Sequence, residues 1–417
     1  MSTGPATSAF VALRHRNFRL LWTGQLVSMA GSMMQGAALL WHVSLLVPPH
    51  QRGLALGMVG LVRVVPIIGF SLFSGVLADA LDRRRLMLVT QAGMAVAAGV
   101  LAWHAFSRSH ALWPLYALAA TGSAFGSFDG PARQSLVPTL VPREDLPNAI
   151  ALNSLMFQAA SVAGPAAGGL VIASLGVGWA YLLNAFSFLF VIAALLLMRD
   201  LPPREAGHTP NISLAAARDG LEFVFRTPLI RSTMLLDFVA TFFASATALL
   251  PIYAQDILHV GAHGYGWLSA APSVGALLTS LALAPAIQRI DRRGRVLLWA
   301  IAGYGVATVV FGLSKSFALT FACLALTGAT DTVSMVIRNI IRQLNTPDGM
   351  RGRMTSVNMV FFMGGPQLGE MEAGLVANLW GAPLSVVTGG LGCLLATGWV
   401  AARTPELRAY RRDDAVR

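Results

Sequence analysis

A register that recurs 209 positions along the chain limits what it can fold into more than any other feature. The stretch Gly75–Arg85, GVLADALDRRR, closes one apolar segment and opens the next across a short basic turn. At an offset of 209, Gly75, Asp79, Asp82, Arg83 and Arg84 meet Ala284, Gln288, Asp291, Arg292 and Arg293. Gly57 meets Gly266, Arg133-Gln134 meets Arg342-Gln343, and Pro138 meets Pro347. A four-residue deletion then changes the offset to 205, and Asn153, Phe157, Gly164 and Gly169-Leu170-Val171 meet Asn358, Phe362, Gly369 and Gly374-Leu375-Val376. A register held that long marks two copies of one unit.

The unit is membranous. With 55% hydrophobic and 12% charged residues, the composition excludes a soluble enzyme. Apolar runs of about 20 residues cross a hydrocarbon core as helices. Twelve can be placed, at 18–46, 54–78, 86–106, 111–136, 150–174, 177–198, 229–258, 264–287, 295–314, 316–341, 353–379 and 382–402. The expected organisation is an N-terminal arm (1–17), a six-helix bundle (18–198), a linker with a surface helix (199–228), a second six-helix bundle (229–402) and a tail (403–417).

The net charge of +11 raises the question of nucleic acid, and its distribution answers it. Counting along the twelve spans, 26 arginines fall at the termini and in the even-to-odd loops, Arg133, Arg338 and Arg342 among them. Only Arg52, Arg108 and Lys315 fall on the other side. That asymmetry predicts cytoplasmic termini in the inner cell membrane, with no nucleic-acid partner. The first apolar run is too long for a cleavable signal and reads as a retained helix. Cys323 and Cys393 lie in spans 10 and 12, so neither a disulfide framework nor a metal site is expected.

Polar residues inside the spans are the candidates for function. Span 1 carries Gln25, Ser28, Ser32 and Gln35 on one stripe, which faces either other helices or a wet cavity. Arg63 sits near the middle of span 2 and calls for a partner. Asp129 at the end of span 4 and Arg338 in span 10 occupy equivalent repeat positions, which suggests a salt bridge between halves that closes one side. Span 5 carries GPAAGG (Gly164, Pro165, Gly168, Gly169), small residues that allow close helix approach around a proline bend.

In 213–225, Leu214, Leu221 and Phe225 oppose Arg218, Asp219, Glu222 and Arg226, as in a helix lying on a membrane surface. Asp237, Thr241 and Ser245 recur at i+4 in span 7, and Thr327, Asp331, Ser334 and Arg338 form one stripe in span 10. Glu370 and Glu372 follow in span 11. A carboxylate at such depth lacks solvation when ionised, so one without a cationic partner exchanges protons as water access alternates; the other reading is a buried ion pair.

Two six-helix halves with GVLADALDRRR between spans 2 and 3 resemble the major facilitator superfamily over essentially the whole chain. Its gating signature matches at Gly75, Asp79, Arg83 and Arg84 and departs from the usual residues at Ala80 and Asp82. The nested-repeat architecture of that superfamily is a standard example. GPAAGG resembles the fifth-helix motif of exporters that run as antiporters. RNFRLLWTGQLVSMAGSMMQ, DGPARQSLVPTLVPREDLPNAIALNS and PQLGEMEAGLVANLWGAP look like the enterobactin-exporter-like branch of the drug:proton antiporters.

The resemblance implies an all-α membrane protein with two pseudo-symmetric bundles rocking about a site lined by spans 1, 4, 7 and 10. Gln25, Ser28, Ser32, Gln35, Arg63, Phe125, Phe128, Thr241, Thr327 and Ser334 would line the cargo cavity. Asp331, Asp237 or Glu370 would carry the coupling proton, and Gly75, Asp79, Asp82, Arg83, Arg84, Asp129 and Arg338 would gate. The expected activity is proton-coupled efflux of a siderophore or an amphipathic drug-like molecule by a monomer, with no cofactor beyond the proton gradient.

A lipid or lysolipid flippase, a transporter-like receptor and a membrane enzyme are the alternatives. Lys315 follows FGLS rather than a phosphate-binding loop, which argues against ATP-driven pumping. The eight histidines form no HExxH set, which argues against an enzyme.

Overall fold

In the computed structural model the described residues are 10–80, 82–199, 214–243, 246–347 and 350–412. Six long helices come first: α1 (Arg16–Leu46), α2 (Arg52–Ala80), α3 (Arg83–Phe106), α4 (Trp113–Leu136), α5 (Leu146–Ser174) and α6 (Val177–Leu197). After α7 (Leu214–Arg226) the pattern recurs with α8 (Pro228–Phe243), the short α9 (Leu250–Ile252), α10 (Gly261–Ala286), α11 (Arg293–Leu313), α12 (Phe317–Leu344), α13 (Arg351–Trp380) and α14 (Ala382–Arg403). A last turn, α15, covers Pro405–Ala409. Among the described residues, nine spans are long and apolar enough to cross a bilayer. Three further long helices, α1, α4 and α13, are more polar, and they hold Gln25 and Gln35, Asp129 and Arg133, and Glu370 and Glu372. Side chains of that kind need protein or water beside them.

The span expected over 229–258 corresponds to one apolar stretch, Pro228–Ile257. Its described parts change winding, from α8 (Pro228–Phe243) to a 3-10 turn (Ala246–Leu249), α9 and a π turn (Tyr253–Ile257). Pro251 lies in this stretch, lacks an N–H and crowds the carbonyl four residues before it. The π turn ends with Leu258 N bonded to Tyr253 O at 2.8 Å, an i to i+5 closure.

The chain divides into two compact units, Met1–Leu39 with Gly69–Pro210, and Leu40–Ile68 with Asn211–Arg417. Units and repeats do not coincide, because the second unit includes the end of α1 and the first part of α2. In the first unit α3 packs on α4 and α6, and Phe18, Leu21, Met87, Leu152, Val191 and Leu195 form the core at one end. Gly164 faces α1: a Cβ there would lie 2.5 Å from Ala30 O. The small-residue motif therefore sets the α1–α5 approach.

In the second unit α10 packs on α12, and α11 on α12 and α14, around Leu236, Leu297, Ile301, Ile337 and Ile341. The α10–α12 crossing is reciprocal. A Cβ on Gly275 would lie 1.7 Å from Ala325 O, and one on Gly328 would lie 1.8 Å from Pro272 O. The linker holds a helix, α7, where the sequence pattern predicts one. Its Val224 is buried with Ile230, Met234, Met354 and Val357, while Leu221 and Phe225 stay exposed.

Candidate functional site

Within the second unit, α8 and α12 bring four charged side chains together. Asp331, Arg338 and Arg342 lie at i, i+7 and i+11 on α12, hence on one face, and Asp237 meets them from α8. Arg338 Nη2 is 2.9 Å from Asp237 Oδ1 and 3.5 Å from Asp331 Oδ1, and Arg342 Nη1 is 3.7 Å from Asp237 Oδ2. The 2.9 Å approach is a contact of charges, since Asp237 Oδ1 receives no well-aligned hydrogen bond. Arg342 also donates to Asn358 on α13 and, at 2.7 Å, to Asn339.

Two acids and two arginines balance, as buried charge requires. Exposure separates them: the side chains of Asp237, Arg338 and Arg342 are 3%, 2% and 4% exposed, that of Asp331 45%. Asp331 is the one member of the four with open surface, and Arg338, its ionic partner among the described residues, is shared with Asp237. Tyr304 of α11 stands in electrostatic range of both Asp331 and Arg338.

A second polar cluster in the same unit centres on Glu370 of α13. Arg63 of α2 and Tyr265 of α10 are its electrostatic neighbours. Tyr265 stacks on Trp41 with ring centroids 5.1 Å apart. Gly60 lies directly beneath the carboxylate: a Cβ there would be 3.0 Å from Glu370 Oε2 and 2.5 Å from Gln367 O.

Other expected cavity residues form hydrogen bonds that join or stay within helices. Thr241 Oγ1 donates to Asp237 O at 2.8 Å, and Thr327 Oγ1 to Leu324 O at 2.6 Å. Ser334 is buried beside Arg338, its Oγ without a partner. In the first unit Gln25 Oε1 accepts from Arg133 Nη1 at 2.9 Å, and Gln35 Oε1 accepts from Asn184 Nδ2 at 2.8 Å. Ser28 is buried and Ser32 half-buried on the same helix. Phe128 lies against Phe70 with centroids 5.4 Å apart, and the Phe125 ring sits over Gly93 of α3.

The gating set is partly visible. Gly75 and Asp79 belong to α2, and their side chains fall outside those described. Asp82 caps α3 by accepting from the backbone N–H groups of Arg84 and Arg85. Arg83 Nη1 donates to Ser135 O at 2.9 Å, and Arg84 Nη2 to Leu196 O at 3.2 Å.

Asp129 accepts from Thr90 Oγ1 at 3.1 Å and Gln91 Nε2 at 2.9 Å inside the first unit, and Arg338 lies against Asp237 and Asp331 inside the second. A buried carboxylate is satisfied by the nearest donors its own fold supplies. Arg338 and Arg342, counted as loop charge, lie buried within α12, which runs to Leu344. Asp237, a candidate proton carrier whose other reading was a buried ion pair, lies against two guanidinium groups. The overlooked members, Arg342 and Asn358, had a signal: Arg342 extends the Thr327–Arg338 stripe by four residues.

Among solved structures, a POT family transporter in complex with 5-aminolevulinic acid aligns with a TM-score of 0.71 at 12% identity, covering 94% of this chain and 96% of its own. A bacterial homologue of the iron transporter ferroportin in the inward-facing state aligns at 0.68 and 16% identity, covering 95% and 99%. The fold is thus one shared with these solved chains. The family model described as transmembrane secretion effector matches residues 7–416, and the chain belongs to that family, which is part of the major facilitator superfamily of multi-pass membrane transporters. Enterobactin exporter EntS of Escherichia coli O1:K1 / APEC is 27% identical over 400 residues, 95% of this chain and 94% of the relative. The protein of the same name from Citrobacter koseri is 27% identical over 404 residues, covering 96% and 95%.

Proposed function

We propose that the protein is a proton-driven exporter of a siderophore or a similar amphipathic small molecule, working by alternating access in the inner cell membrane with both termini cytoplasmic. The repeated bundles, 18–198 and 229–402, are the bodies that move, and the monomer is the working unit. Asp79 and Arg83 sit at the cytoplasmic gate. Kinship to exporters over almost the full length supports efflux as the direction.

The observation that carries the coupling is the half-exposed Asp331 sharing Arg338 with a sealed Asp237. A proton reaching Asp331 frees that arginine edge without disturbing the Asp237 pairing, so protonation and rearrangement of the cluster are linked. Asp237 serves as the fixed counter-charge. Glu370 is the second proton carrier.

The test is flux in proteoliposomes under an imposed pH gradient, with a siderophore and an amphipathic dye as cargo. Wild type is expected to accumulate cargo against its gradient, and Asp331→Asn to allow only downhill movement. Full gradient-driven flux in both Asp331→Asn and Glu370→Gln removes the coupling assignment.

A further inference from the structure

Two buried acceptors on α13 have no donor among the described residues. Glu370 Oε2 and Gln367 Oε1 are both sealed from solvent, and neither receives a hydrogen bond. They stand three residues apart, hence on the same face of the helix and within reach of one another, and Gly60 of α2 closes on the Glu370 side chain and the Gln367 backbone carbonyl. An unmatched buried acceptor is costly, and two on one helix face are more so. One shared hydrogen would satisfy both.

We infer that Gln367 is a positioning residue for the coupling proton, holding it on Glu370 in this state. The inference rests on the export reading above. The proton forms an O–H bond on Glu370 Oε2 and is donated towards Gln367 Oε1; its release leaves the carboxylate ionised and breaks no other bond. Gly60 excludes water from that pair, since any side chain there would meet Gln367 O and the carboxylate. The charged and titratable groups facing Glu370 from the packed helices are Arg63 on α2 and Tyr265 on α10. Arg63 is the cation that neutralises Glu370 once the proton departs. The arrangement therefore has two alternative partners for one carboxylate: an amide oxygen when it carries the proton and a guanidinium when it does not. Motion of α2 against α13 exchanges them.

The experiment is infrared difference spectroscopy of the purified full chain in lipid at neutral pH, alongside gradient-driven dye flux. A protonated-carboxyl C=O band that disappears in Glu370→Gln is expected. In Gln367→Leu it should move to higher frequency, as a carboxyl losing its acceptor does, with dye flux reduced at least fivefold. Arg63→Gln should keep the band where it is and stop the flux.

Absence of a protonated-carboxyl band assignable to Glu370 overturns the inference, because the Gln367 amide then donates to an ionised carboxylate. A band unmoved in Gln367→Leu also overturns it. Correct band behaviour with no gradient-driven flux in wild type upholds the proton site and counts against the export reading. Since the band is read in the unmutated side chain's own environment, general loss of fold in one variant is recognised from loss of all amide structure.

Discussion

Asp237→Asn strands Arg338 and Arg342 in a site where the three side chains are almost wholly enclosed. Breaking a buried pair costs about 3–5 kcal/mol, since the surviving charge stays desolvated. Asp331 is the less enclosed acid and approaches Arg338 only to 3.5 Å, and a partly exposed pair contributes about 0–1 kcal/mol. Thermal unfolding in detergent should therefore rank the variants, with Asp237→Asn well below Asp331→Asn and the latter close to wild type; equal losses would show the two acids to be equivalent. Gly328→Ala should lower folded yield further, because its methyl would meet Pro272 O at 1.8 Å and force α10 from α12. At this scale the sequence was a partial guide. The α12 stripe was readable from spacing, because helical period alone decides which side chains share a face. Which further acid of its own unit Arg338 would approach was not, since spacing along α12 points to Asp331 but not to Asp237, which comes from α8.

The change of winding beyond α8 gives the element scale its clearest consequence. Its π turn places Asp256 against Arg52, with Nη1 at 2.6 and 2.7 Å from the two carboxylate oxygens, while Arg52 Nε donates to Ser44 O at 3.0 Å. Gln255 Nε2 adds a bond to Ser44 Oγ at 2.7 Å. These contacts join the start of α2 and the end of α1 to the π turn, all within the second unit. Arg52→Gln should alter the rate of dye export, and the reversed pair Arg52→Asp with Asp256→Arg should restore it. Failure of the reversal would mean that Arg52 matters through Ser44 alone. The π winding was hidden in the hydropathy pattern, because a membrane helix tolerates proline when neighbours satisfy the freed carbonyls, so Pro251 carried no unique meaning.

For the molecule as a whole, the repeat was the informative signal: membrane-length apolar runs and a recurring register specify the superfamily fold before any contact is known. Orientation rests on arginine asymmetry, and moving Arg338 and Arg342 from the loops into the buried set leaves that asymmetry large. Single cysteines introduced at Arg412 and His110 in a background lacking Cys323 and Cys393 should react with an impermeant thiol reagent from opposite sides of the membrane, His110 from outside. The partition of units was illegible, because it depends on packing between residues that sequence places far apart. It also bears on biogenesis. A ribosome that has released the first six spans has made Leu40–Ile68 without any of the segments it clusters with. The outer reaches of α1 and α2 must then be sheltered by lipid or by the insertion machinery until α13 emerges, and glycines such as Gly53 and Gly57, which later fit against the α13 backbone, have nothing to dock on until then.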